Sequence, residues 1–229
     1  MKPRILLVDD ERQFSAMTKE YLEAKNHDVT LVHSGDAGLD TFQKEEFDLC
    51  ILDVRMPMKD GFTLAAEIRD INGHTPIIFL TGMQEKEDRI KGLTLGADDY
   101  ITKPFSMEEL SLRIQNILKR VSRPAAEKSV SEKYEVGKYQ LDAVSRELIF
   151  SDTVCKLTAI ESRLLQMLIE HQNGVLDREN ALKRIWGDDH FLHGRSLNVY
   201  VSKLRQLLKQ DERIEILNVH GVGYRLVVK

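Results

Sequence analysis

Long apolar runs are missing from this 229-residue sequence. No stretch of about 18 apolar residues occurs, so no membrane-spanning helix is expected. Cysteine is scarce: Cys50 and Cys155 stand alone, with no Cys-x-x-Cys pair. That leaves no disulfide framework to read and fits a reducing, cytoplasmic setting. The N-terminus runs directly into an apolar strand at residues 4–8 and does not read as a signal peptide. Neither sign of charge dominates, since 33 Lys and Arg face 37 Asp and Glu for a net of −4. What is present is ordinary for a soluble globular protein: 42% apolar and 31% charged residues, in a length that suggests two domains.

The charge is spread unevenly. Residues 1–123 hold 17 basic and 22 acidic side chains, and residues 124–229 hold 16 and 15. Within the second half, residues 195–209 carry four basic residues and no acidic one.

The first half alternates strand and helix patterns. Apolar strands are expected at residues 4–8, 28–33, 49–52, 75–80 and 99–102. Helices are expected between them, one with Phe14, Met17, Tyr21 and Leu22 on a shared face and one over about residues 85–95. Ser34 and Asp60 read as N-caps, and Ser106 with Glu109 as a capping box opening a helix that carries Leu110, Leu112, Ile114, Ile117 and Leu118. Strand–helix units with short joints imply a parallel sheet covered on both faces, with every strand's C-terminal end on one edge. That edge gathers Asp9, Asp10, Asp53, Thr81 and Lys103. Alone, Asp53 reads better as a turn or capping aspartate; the convergence argues for a site. Three carboxylates in one cleft repel one another and call for a cation, and hard oxygen ligands suit Mg²⁺. Lys103 and Thr81 beside them make a place for a phosphoryl group.

Val8-Asp9-Asp10-Glu11, Leu52-Asp53-Val54-Arg55-Met56-Pro57 with Asp60-Gly61, Leu80-Thr81-Gly82, and Gly96-Ala97-Asp98-Asp99-Tyr100 followed by Lys103-Pro104-Phe105 resemble the receiver domain of two-component response regulators. The resemblance covers about residues 3–121. It implies a five-stranded, doubly wound (flavodoxin-like) domain in which Asp53 accepts a phosphoryl group from a sensor histidine kinase. It implies Mg²⁺ held by Asp10, Asp53 and the Arg55 backbone carbonyl, with Asp9 acting through water. It implies that Lys103 pairs with the phosphate, that the Lys103–Pro104 bond is cis, and that Thr81, with Gly82 beside it, and Tyr100 form the switch. Lys91, Asp98, Asp99, Glu109, Arg113 and Arg120 put both signs of charge on one surface. On residues alone that is an ordinary solvated face. Resemblance to the OmpR/PhoB branch makes it the face of a homodimer formed on phosphorylation, with Lys91 meeting Glu109 and Asp99 meeting Arg113 across a two-fold axis.

Residues 122–133 lack apolar periodicity and read as a flexible linker between domains at 1–121 and 134–229. Beyond it come four short antiparallel strands, a capping box at Thr158-Ala159-Ile160-Glu161, a helix near residues 178–186 and a basic helix near 195–209. In that last helix Leu197, Val201, Leu204 and Leu208 face the core, while Ser196, Val199, Tyr200 and Lys203 share another face. A hairpin follows around His220-Gly221-Val222-Gly223. His190 and His193 have a metal-like spacing but lack partners, and a solvated loop is the better reading. Leu157-Thr158-Ala159-Ile160-Glu161, Arg184-Ile185-Trp186-Gly187, residues 195–208 and Val219-His220-Gly221-Val222-Gly223-Tyr224-Arg225 resemble the OmpR/PhoB-type winged helix-turn-helix, an α+β domain. By position, Val199, Tyr200 and Lys203 would face bases in double-stranded promoter DNA, and Arg195, Ser196, Arg205 and Tyr224 would hold phosphates or set the helix. Three residues depart from that pattern: His220 for a wing arginine, Asn198 for an aspartate, and Lys203 for an arginine.

The expectation is a cytoplasmic, phosphorylation-switched transcription regulator, not an enzyme in the ordinary sense, with RNA polymerase as a further partner. Two rivals stand beside it. A phosphohydrolase using an aspartyl phosphate would want an Asp-x-Asp pair after the first strand, and Asp9-Asp10-Glu11 lacks that spacing. A regulator with a receiver that works without phosphate would not need the acid pocket.

Overall fold

A computed structural model describes residues 2–82, 95, 97–121, 133–186 and 194–229; for 120–121 and 194–196 only the backbone is described. The chain divides into two compact units, residues 1–123 and 124–229.

The first unit runs β1 (Arg4–Val8), α1 (Arg12–Ala24), β2 (Asp28–Val32), α2 (Gly35–Lys44), β3 (Leu49–Asp53), α3 (Gly61–Ile71), β4 (Ile77–Thr81), β5 (Asp99–Thr102) and α4 (Met107–Val121). All pairings in its sheet are parallel, in the order β2-β1-β3-β4-β5. The central strands are apolar except at their ends, Arg4, Asp53 and Thr81, because both faces are covered, and their two-residue period sends neighbours to opposite sides. Leu6, Val8, Cys50, Leu52 and Phe79 pack with Phe42, Phe62, Leu64 and Ile68 from α2 and α3. Ile5, Leu7, Leu49, Ile51, Ile78 and Leu80 pack with Leu22, Leu110, Ile114 and Ile117 from α1 and α4.

The expected caps form at Ser34, whose side chain accepts from Ala37 N–H, and at Asp60, which accepts from Thr63 N–H. Ser106 accepts from Glu109 N–H at 3.0 Å, but the reciprocal half of that box is replaced: the Glu109 carboxylate turns to Arg113. Two apolar assignments are corrected. Met17 is 63% and Leu112 60% exposed. In α1 the buried stripe is Ser15, Thr18 and Leu22, and the two hydroxyls are satisfied by backbone carbonyls one turn back. Of the helix expected over 85–95, all but residue 95 lies outside the described residues.

The second unit runs β6 (Lys133–Val136), β7 (Tyr139–Asp142), β8 (Glu147–Phe150), β9 (Thr153–Lys156), α5 (Ala159–Glu170), β10 (Leu176–Asp177), α6 (Arg178–Trp186), α7 (Gly194–Leu207), β11 (Ile214–Val219) and β12 (Gly223–Val228). Lys133, taken as linker, is the first residue of β6; the rest of the expected linker is not described. β6 to β9 form an antiparallel meander, and β11 and β12 form a hairpin with β10 on its far edge. The Thr158/Glu161 capping box is complete. Leu197, Val201, Leu204 and Leu208 are buried as expected. Three helices followed by this hairpin make the winged helix-turn-helix.

Candidate functional site

The parallel sheet brings its strand ends together. Asp9 follows β1 and is fully buried; Asp53 closes β3 and is 6% exposed. Lys103, just past β5, reaches both: its Nζ lies 2.8 Å from Asp9 Oδ2 and 2.7 Å from Asp53 Oδ2. The remaining carboxylate oxygens are held locally. Asp9 Oδ1 accepts from Glu11 N–H at 2.9 Å, and Asp53 Oδ1 accepts from Arg55 N–H at 3.1 Å. Asp10 is exposed, yet ligand oxygens of Asp9, Asp10 and Asp53 lie within 4.8 Å of one another.

These charges compete with burial. Desolvation raises the Asp53 pKa, the hydrogen bonds and charge of Lys103 and the Arg55 N–H oppose it, and the net shift is upward. Desolvation would lower Lys103, but Asp53 and Asp9 outweigh it and hold the ammonium above the ordinary lysine value. One ammonium against three carboxylates leaves negative charge unmatched. An all-oxygen carboxylate set with that excess fits a hard divalent ion such as Mg²⁺.

Around the acids, Thr81 is buried with its hydroxyl donating to Gly82 O at 3.0 Å. Tyr100 is also buried, with its ring 5.2 Å from Phe79. The Lys103–Pro104 bond is cis.

In the second unit, α7 is tied on two flanks. Arg205 donates to Ile216 O of β11 and to Asn218 Oδ1. Lys203 Nζ donates to Glu161 Oε1 at 3.1 Å. Tyr224 is buried and donates to Asn198 Oδ1 at 2.6 Å, while Arg178 donates to both. Asn198 thus supplies the acceptor that joins α7 to β12 and α6. Tyr200 is fully buried, its ring 6.0 Å from Trp186, so the expectation that it faces bases is corrected: its position belongs to the core. His220 is exposed at the hairpin tip. Arg195 and Ser196 lie in the first turn of α7, with only their backbone described.

The family described as "Response regulator receiver domain" matches residues 5–115, and that described as "Transcriptional regulatory protein, C terminal" matches residues 152–226. The chain belongs to the OmpR/PhoB family of response regulators. Transcriptional regulatory protein RprY of Bacteroides fragilis (strain YCH46) is 49% identical over 226 residues, covering 99% of this chain and 95% of RprY. Response regulator MprA of Mycobacterium tuberculosis (strain ATCC 25618 / H37Rv) is 36% identical over 227 residues, covering 99% and 98%. Among solved structures, response regulator DrrB, a Thermotoga maritima OmpR/PhoB homolog, aligns with a TM-score of 0.52 at 27% identity, covering 99% of this chain and all of that one. A RitR mutant aligns at 0.78 with 25% identity and the same coverage.

This response regulator places its expected dimer-face residues unevenly. Arg113 is buried and bridges two acids of its own chain, Asp99 Oδ2 at 3.0 Å and Glu109 Oε1 at 2.8 Å. Asp98 is buried and faces elsewhere: its Oδ2 accepts from Ile77 N–H at 3.0 Å and lies 3.7 Å from Arg69. Asp98 therefore anchors the start of β4 and does not contribute to a charged surface. Lys91 lies outside the described residues, and so does the side chain of Arg120.

Three residues near the pocket escaped the sequence reading. Phe14 seats its ring 5.3 Å from Lys103 Nζ and is braced edge-on by Phe105. His33 Nδ1 lies 3.0 Å from Asp9 O. Lys59 bridges Asp36 at 3.0 Å and Glu67 at 2.7 Å, tying the loop after β3 to α2 and α3. A lone aromatic or lysine carries no motif; only the folded contact reveals these three.

Proposed function

We propose that Asp53 is the phosphoryl acceptor of this two-component transcription regulator, and that its phosphorylation by a sensor histidine kinase promotes dimerisation and promoter binding. The observation that carries the reading is the Lys103 ammonium held between Asp9 and Asp53. An Asp53 carboxylate oxygen attacks phosphorus, the phosphorus–nitrogen bond of a phosphohistidine breaks, and an acyl phosphate forms. Lys103 turns to the new phosphoryl oxygens and Thr81 releases Gly82 to hydrogen-bond one of them. Among the described residues no strong general base stands beside Asp53, so positioning and charge neutralisation carry the step. Asp10, Asp53 and the Arg55 carbonyl would hold Mg²⁺, with Asp9 acting through water; when bound, the ion supplies charge neutralisation at the transferring oxygens.

Dimerisation through the Asp99, Glu109 and Arg113 face, with Lys91 and Arg120, would require Arg113 to exchange its intrachain partners for those of a second copy. Two copies of α7 would then meet paired half-sites on double-stranded DNA, with Arg195, Ser196 and Arg205 setting phosphate register, Tyr224 positioning α7 through Asn198, and His220 at the minor groove. RNA polymerase is the partner such a regulator would address. Among the described residues no helix is long and apolar enough to cross a membrane, which accords with a cytoplasmic site of action.

Mass spectrometry after incubation with a small phosphodonor and Mg²⁺ should show one added phosphoryl group, absent in Asp53→Asn. If Asp53→Asn gains phosphate as readily as wild type, the assignment is wrong.

A further inference from the structure

The outward face of α7 is fixed by what its flanks touch. Leu197, Tyr200, Val201, Leu204 and Leu208 are buried and define the inner side. Arg205 leans to the hairpin on one flank and Lys203 to α5 on the other. Val199, Ser202 and Gln206, spaced three and four apart, lie opposite the buried stripe. Val199 is half-buried, and Ser202 and Gln206 are exposed.

Lys203 is held by more than proximity. Its partner Glu161 is 7% exposed and spends its other oxygen on the Thr158 N–H, at 2.9 Å, in the capping box of α5. The ammonium also sits 6.0 Å from the ring of the buried Tyr200. Swinging Lys203 out to a base would strand a desolvated carboxylate, which is strongly unfavourable.

We propose that Lys203 is a positioning residue that locks α7 to the first turn of α5, and that Val199, Ser202 and Gln206 read the bases. This inference rests on the reading of α7 as the DNA-contacting helix. The side chains suit an A·T-containing half-site: Gln206 can pair with adenine N6 and N7, Val199 can pack on a thymine methyl, and Ser202 accepts either partner.

The test selects binding sites from random double-stranded DNA with the phosphorylated full-length chain, then measures competition binding over a salt series. Lys203→Met and Glu161→Gln should weaken binding to every site by a similar factor, and the double variant should be no worse than either alone. Base preference and salt slope should match wild type. Lys203→Arg should restore affinity without a new preference for guanine, which keeps the comparison informative if the Met variant is poorly folded. Gln206→Ala should lose roughly five- to hundred-fold affinity at one base position and leave the others unchanged. A changed preference or a salt slope smaller by about one in the Lys203 variants overturns the assignment, because either means contact with DNA. Failure of the wild-type chain to select any sequence overturns the underlying reading of α7, and this inference with it.

Discussion

At the scale of single residues, the pocket works through groups that carry no charge as much as through those that do. Phe14 offers its ring to the Lys103 ammonium. Such contacts are worth about 0.5–2 kcal/mol. Replacing Phe14 with Leu keeps bulk but removes the ring. Phosphorylation from a small phosphodonor should slow several-fold, and Phe14→Tyr should restore it; equal rates in Leu and Tyr variants would dismiss the ring's role. Gly61 is constrained differently: a Cβ there would meet the Asp53 carbonyl oxygen at 2.1 Å. Gly61→Ala must therefore displace the loop that carries the Arg55 N–H. The expected result is a loss of about 2–3 kcal/mol in chemical denaturation, in the range of overpacked sites, together with poorer phosphorylation. A phosphorylation rate unchanged despite the lost stability would show that the loop relaxes without moving Asp53.

At the scale of elements, much was legible. Periodicity placed the strands because both sheet faces are buried, and capping residues at Ser34, Asp60 and Thr158 marked helix starts because each satisfies an orphan N–H. The acid pocket was legible because parallel topology alone brings strand ends together. The flanks of α7 were not. Tyr200 and Lys203 share a helical face in sequence, but Trp186 and Glu161, on other helices, decide which way that face turns. Arg113 was legible in part: Glu109 stands one turn earlier on the same face of α4, but the pairing with Asp99 of β5, expected across a dimer, is made within the chain.

Asp211 shows what an element junction can contribute. It accepts from Lys138 N–H at 2.8 Å and from the Arg213 guanidinium at 2.8 and 2.9 Å, joining the β6–β7 turn to the segment before β11. Those donors, Arg213 foremost, hold its carboxyl far below the ordinary range. A depressed carboxylate stabilises the fold fully above the unfolded value of about 3.9, and loses that contribution as pH falls below it. Acid unfolding followed by fluorescence of the single tryptophan, Trp186, should be shallower in Asp211→Asn below about pH 4. An identical acid limb in both proteins would rule this linkage out.

At the scale of the whole molecule, two units with separate cores set the thermodynamics. Calorimetry should resolve two transitions, and Mg²⁺ with phosphodonor should raise the one belonging to residues 1–123, since ligands stabilise the fold that binds them. One transition, or an equal rise in both, would mean the units unfold as one. The scarcity of cysteine has a use here. Each unit holds a single thiol: Cys50 is fully buried in β3, its pKa pushed up to about 12 by desolvation, and Cys155 is half-buried in β9. The Cys50 thiol is inert until its strand comes free. Alkylation of Cys50 therefore clocks the opening of the very strand that presents Asp53, while the partly exposed Cys155 reacts without unfolding and serves as the reference. The chain carries both the label and its control for watching that strand let go.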